Sequence, residues 1–138
     1  MRLWHKDLIP VLPRQQLLSQ WRECCAIARN IAVNGTPNHI LVNPVLDYPM
    51  EHFCRYSAYE VYTEMVKREY FPEIEKFKKW FIQIQGNSDR WISHEELFSD
   101  WHNDRYLRQC YYNLEEKHDR GGISDEEWQK IEDFANIS

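Results

Sequence analysis

Arg14-Gln15-Gln16-Leu17-Leu18-Ser19-Gln20-Trp21-Arg22-Glu23-Cys24-Cys25-Ala26 is the stretch whose reading decides the fold of this 138-residue chain. Its apolar residues Leu17, Leu18, Trp21, Cys24 and Cys25, continued by Ala28 and Ala32, recur at i, i+3, i+4 and i+7. They therefore share one face of a long helix. Pro13 suits the first turn, where a missing N–H is no loss, and Asn34-Gly35 followed by Thr36-Pro37 ends the helix. With Trp21 at the centre of the buried stripe, a turn of about 100° per residue aims Glu23 away from the core. Gln16, Ser19, Ala26 and Asn30 share the face of Glu23, while Gln15, Arg22 and Arg29 run between that face and the core. Periodicity leaves two uses open for Glu23. It is either part of a solvated face, or a carboxylate among small neighbours that a reactant can approach.

Upstream, Leu3, Trp4, Leu8, Ile9, Val11 and Leu12 are too dense for a frayed tail, so the N-terminal segment is expected to pack. About a dozen extended residues reach roughly 40 Å, whereas Gln15 to Glu23 spans only about 12 Å of helix. The segment can therefore fold back and bring the terminal amine to Glu23. An α-amine has an ordinary pKa of roughly 7.7–8.0, against about 10.4 for lysine, so a usable fraction is neutral near pH 7. Such an amine can form a Schiff base with a ring-opened sugar, and a nearby carboxylate can move the protons.

Met1-Arg2-Leu3, then Gln15, Leu17 and Arg22-Glu23, resemble the pyrimidine-dimer DNA glycosylase family. The resemblance is clearest over the first thirty or so residues and continues weakly into the helix ending Met65-Val66-Lys67-Arg68-Glu69-Tyr70. It implies a mainly helical protein and a DNA glycosylase with associated abasic-site lyase activity. In that chemistry the terminal amine attacks the sugar C1′ and a helix glutamate assists. These roles fall on Met1 and Glu23, with DNA contacts from Gln15 and Arg22; Arg2, Gln16 and Arg29 are further candidates for DNA contact. Arg2 is too bulky to permit removal of Met1, so the nucleophile is expected to be the Met1 amine itself. A further His and Arg of the family helix read here as Gln16 and Ala26, which bears on the choice of lesion more than on the chemistry.

The rest of the chain reads as an all-α, compact single domain, 1–138, with the extended N-terminal segment packed on the first long helix. A hydrophobic content of 43% and aromatic content of 14% exclude a disordered chain. A linker over residues 36–48 precedes a helix from about Pro49 to Tyr70. A third helix follows Pro72, with Ile74, Phe77, Phe81 and Ile84 inward and Gly86 as its stop. Ser93-His94-Glu95-Glu96 reads as a capping box for a helix through Trp101, and Ser124-Asp125-Glu126-Glu127 as another for a terminal helix. Between them a helix is expected from Arg105 to about His118. There Arg105, Arg108 and Tyr112 offer aromatic and cationic groups suited to bases and phosphates.

Net charge is −5, unusual for a DNA-binding chain, yet residues 1–34 carry five basic and two acidic groups and so stand at +3. The expected partner is double-stranded DNA holding a damaged base or abasic site, bound by a monomer without a cofactor. Four cysteines without framework spacing, no apolar run of membrane length and no signal-peptide pattern lead to the expectation of a cytoplasmic protein with reduced thiols. No metal is expected, since His94-Glu95-Glu96 lacks the second His of a zinc helix and no Cys/His pair has ligand spacing. Two rival readings stay open: a non-catalytic helical module that binds nucleic acid or protein, and a small-molecule enzyme using the same amine and carboxylate.

Overall fold

The computed structural model describes residues 1–137. Among them are six α-helices and no strand. Helix α1 spans Arg14–Asn34, α2 Met50–Arg55, α3 Tyr62–Lys67, α4 Glu75–Gln85, α5 Asp104–Asp119 and α6 Asp125–Ile137. A π-helical stretch, Tyr56–Val61, joins α2 to α3 without a break. Two 3-10 turns, Lys6–Val11 and Asn43–Asp47, complete the regular structure. Among the described residues, no helix is long and apolar enough to cross a membrane.

Helix α1 runs as its periodicity predicts. Pro13 is the N-cap, and Gly35 closes the C-terminus at φ 78°, a left-handed position that favours glycine. The first turn has no capping side chain of its own. Glu127 supplies one from α6, its Oε2 accepting the Arg14 N–H at 2.8 Å. The buried stripe of α1 meets α4 and the long central helix. Trp21 lies 5.5 Å from the Tyr62 ring and 6.3 Å from Phe81, which in turn stacks on Phe53 at 6.1 Å.

The π turn has visible causes. Ser57 Oγ donates to the Phe53 carbonyl at 2.6 Å, competing with the α ladder, and Arg55 pairs with Glu60 five residues on at 2.7 Å, the spacing a π turn aligns. It also delivers Tyr56, fully buried, to the N-terminal segment. Arg55 is thereby taken out of solvent, clamped over the Tyr59 and Trp91 rings at 4.3 and 4.0 Å.

The N-terminal segment packs as expected, with Leu3, Trp4, Leu8, Ile9 and Leu12 buried, but its second half coils into a 3-10 turn instead of staying extended. Arg68 on the central helix braces it, donating to the carbonyls of Leu12 at 2.7 Å and Pro10 at 3.1 Å. Lys6 is buried, and its ammonium donates to the carbonyls of His94, Glu95 and Leu97 at 2.5, 3.2 and 2.7 Å. Those bonds explain a departure from the sequence reading. Ser93 Oγ does accept the Glu96 N–H at 3.2 Å, as a capping box requires, yet residues 94–101 form turns and not a helix. Lys6 takes the carbonyls that a helix would use internally, and Phe98 adopts φ 47° to enter the core.

Candidate active site

Gln20 builds the site. It is fully buried within the α1 stripe, and its side-chain amide stitches the N-terminal segment to that helix. Oε1 accepts the Trp4 N–H at 2.8 Å and the Tyr56 hydroxyl at 3.1 Å. Nε2 donates to the Arg2 carbonyl at 3.0 Å and reaches Glu23 Oε2 at 3.4 Å. One side chain thus fixes Arg2 and Trp4 on α1 and sets Met1 beside Glu23, one turn further along. Tyr56 adds a 2.6 Å bond to the Trp4 carbonyl, and Tyr106 of α5 one of 2.6 Å to that of Leu3. The sequence reading passed over Gln20. Its signal was a polar residue inside an apolar stripe, one turn from both Leu17 and Cys24.

Met1 and Glu23 line one cleft of about 270 Å³, together with Gln15, Gln16, Ser19 and Lys117. Among the described residues, the Met1 amine has no hydrogen-bond or ion-pair partner. Glu23 is half-buried, and burial raises its carboxyl above the ordinary range. The Met1 ammonium, the Arg2 backbone N–H, His39 and Arg22 pull the other way without cancelling that rise. A carboxyl so placed can hold a proton at higher pH than a surface glutamate, as a group that must both give and take one requires.

The other residues singled out from sequence divide into two sets. Gln15 and Gln16 line the cleft with Met1, and Oε1 of Gln16 is buried there without a protein partner. Arg22 is exposed beside it, one guanidinium nitrogen donating to Ser19 Oγ at 3.2 Å, and Arg29 is exposed two turns on. Arg2 lines the cleft, and its guanidinium lies 5.6 Å from the Trp4 ring and near enough to Tyr106 and Cys110 to act on both. Arg105, Arg108 and Tyr112 do not line this cleft. Arg105 borders a neighbouring depression with Ile40, Leu41, Trp101 and Tyr106, while Arg108 and Tyr112 border a third beside Leu8 and Phe134.

Helix α5 contributes Asn113 and Lys117 instead. A further depression, lined by Gln16, Asn113, Lys117 and Arg120, continues the same surface. Three hollows therefore follow one another along α5. Arg105 to Arg120 is fifteen residues, about 22 Å of helix rise.

Other nucleophiles are poorly placed. Cys24, Cys25, Cys54 and Cys110 are buried free thiols, and burial pushes Cys25 and Cys54 up to about 12. Among the described residues, no group of three His, Cys, Asp or Glu side chains gathers as a metal site.

No curated protein and no solved structure matches this chain. The family model described as pyrimidine dimer DNA glycosylase matches residues 1–78, more than half of the 138. The matched segment contains Met1, Gln20, Glu23 and Tyr56, the residues that make one wall of the cleft and hold it, and by that match the chain belongs to the pyrimidine dimer DNA glycosylase family.

Proposed function

We propose that this protein excises a damaged pyrimidine from double-stranded DNA and then nicks the strand, working as one domain, 1–138, and as a monomer. The observation that carries the reading is the shared cleft of Met1 and Glu23, with the amine unpartnered and the carboxyl raised by burial. The neutral Met1 amine attacks C1′, the glycosidic bond breaks, and the base leaves with the bonding pair and a proton. Glu23 protonates the ring oxygen as the sugar opens, leaving an imine between C1′ and the Met1 nitrogen. Glu23, now a carboxylate, removes a 2′ proton; the C3′–O bond breaks and the 3′ phosphate departs. Water then cleaves the imine and frees the enzyme. The scheme draws on no cofactor.

Gln15, Gln16, Arg22 and Arg29 are assigned to DNA contact near the cleft, and Arg105, Arg108 and Tyr112 to outlying contacts. Arg2 acts through its backbone N–H toward Glu23 and through its guanidinium. The lesion must leave the base stack to reach Met1. A cytoplasmic setting, in which the four thiols stay reduced, suits the scheme.

The test is reductive trapping. Incubation with abasic-site DNA and borohydride is expected to give a covalent adduct that peptide mass spectrometry maps to the Met1 nitrogen. Glu23→Gln is expected to retain trapping and lose strand nicking. Folded protein that binds the DNA and gives no adduct supports a non-catalytic binding module instead. An adduct with small aldehydes but none with abasic DNA supports the small-molecule reading.

A further inference from the structure

We infer that the turn after α1 is a wedge, presenting Ile40 and Leu41 to an unstacked base step of the DNA that occupies the Met1–Glu23 cleft; this rests on the function proposed above. Ile40 is 84% exposed, more than any other large apolar residue described, and Leu41 is 46% exposed. Exposure alone would mean little, but this tip is built. Asn38 takes a left-handed φ of 54° to start it. The His39 carbonyl accepts the N–H groups of Val42 and Asn43 at 2.9 and 2.8 Å. Asn43 Oδ1 accepts the His39 N–H at 3.0 Å, and His39 Nδ1 that of Leu41 at 3.3 Å. Val42 and Val45, both fully buried, anchor the far side. The chain has thus spent backbone strain and local hydrogen bonds to hold two aliphatic side chains outward, where they add nothing to the core.

The tip also lies next to the chemistry. Ile40 and Leu41 share their hollow with Arg105 and Gln109, and Asn113, one turn along α5 and bonded to the Gln109 carbonyl at 2.8 Å, lines the Met1–Glu23 cleft. Gln109 and Asn113 lie about 6 Å of helix rise apart, less than two base steps. His39, on the same turn, is near enough to act on the Glu23 charge. Charge favours DNA as the occupant. Residues 36–46 contain no acidic side chain in a chain of net −5, and Arg105 stands at the edge of the hollow, although Asp100 also borders it. Aliphatic side chains pushed between base steps are a general means of unstacking and kinking a duplex, and a paired lesion has to be unstacked before an amine can reach its sugar.

The experiment compares the unaltered protein with the double substitution Ile40→Ala, Leu41→Ala and with Ile40→Met as the conservative control. Borohydride trapping rates are measured on duplex and single-stranded abasic oligonucleotides. Fluorescence of a 2-aminopurine beside the abasic site reports unstacking. The double variant is expected to keep its melting temperature and its single-strand trapping rate. It should lose about tenfold on the duplex together with the fluorescence rise, while Ile40→Met keeps both. A double variant that traps duplex and single strand at the rates of the unaltered protein, with an unchanged fluorescence rise, overturns the wedge. So does a change in sedimentation from dimer to monomer at unchanged duplex preference, which assigns the tip to a second copy of the chain. Absence of any adduct from the unaltered protein on single strands defeats the chemical reading itself, and is told apart because Ile40 plays no part there.

Discussion

Replacing Gln20 by Met keeps the side chain's length and bulk and removes both its acceptor and its donor. The Trp4 N–H, 2.8 Å from Oε1, is then left buried and unpaired, which costs about 1–3 kcal/mol. The Arg2 carbonyl loses a donor in a partly buried setting, worth about 1 kcal/mol more. Exchanging a buried amide for a thioether returns roughly 1 kcal/mol, since no polar group then needs desolvation. The net expectation is a loss of about 1–3 kcal/mol. In a chain of 138 residues this lowers the melting temperature by about 3–12 °C. Thermal unfolding followed by circular dichroism measures it. A double-mutant cycle with Tyr56→Phe adds a sharper check. Tyr56 bonds both Gln20 and the Trp4 carbonyl, so the two changes should fail to add by about 0.5–2 kcal/mol. A destabilisation under about 0.5 kcal/mol, or simple additivity, would refute the claim that this amide ties the N-terminal segment to α1.

Three further outcomes follow from the same geometry. Because burial raises the Glu23 carboxyl, the folded state holds its proton more tightly than the unfolded chain does, so Glu23 favours folding in acid and opposes it once ionised. Glu23→Gln should therefore raise the melting temperature at pH 7, with the gain fading as pH falls through the ordinary carboxylate range. Burial depresses His5, His52 and His102, so the unfolded chain takes up protons first as pH drops below about 6.5. Stability measured by denaturant titration should decline from there toward pH 5, and His102→Gln should flatten the decline. Lys117 lines two adjoining hollows of the α5 surface, and Lys117→Ala should lower the slope of log affinity against log salt for duplex DNA by about 0.9, whereas Lys79→Ala on α4 should not.

Helix α1 was legible because its information is local. The stripe from Leu17 to Ala28 needs only the 3.6-residue period, and the Gly35 stop needs only a residue tolerant of positive φ. The capping residue Ser124 was legible for the same reason, accepting the N–H three residues on. The turns at 94–101 were not. Their pattern satisfies a capping box, and the group that diverts their carbonyls, the Lys6 ammonium, lies 88 to 91 residues away in sequence.

The candidate site divides along the same line. Sequence determined that Glu23 leaves the core face of α1 and that the apolar residues from Leu3 to Leu12 would pack. Only the tertiary structure decided which surface they pack on: Gln20 and Tyr56 fix Trp4, Tyr106 fixes Leu3, and Met1 comes to share one cleft with Glu23. It also decided that α5 reaches the cleft with Asn113 and Lys117, while Arg105, Arg108 and Tyr112 face other hollows. Periodicity fixes where a side chain points around its own helix axis. Which helix stands opposite depends on buried hydrogen bonds between residues far apart in the chain, and a single sequence carries no local mark of those.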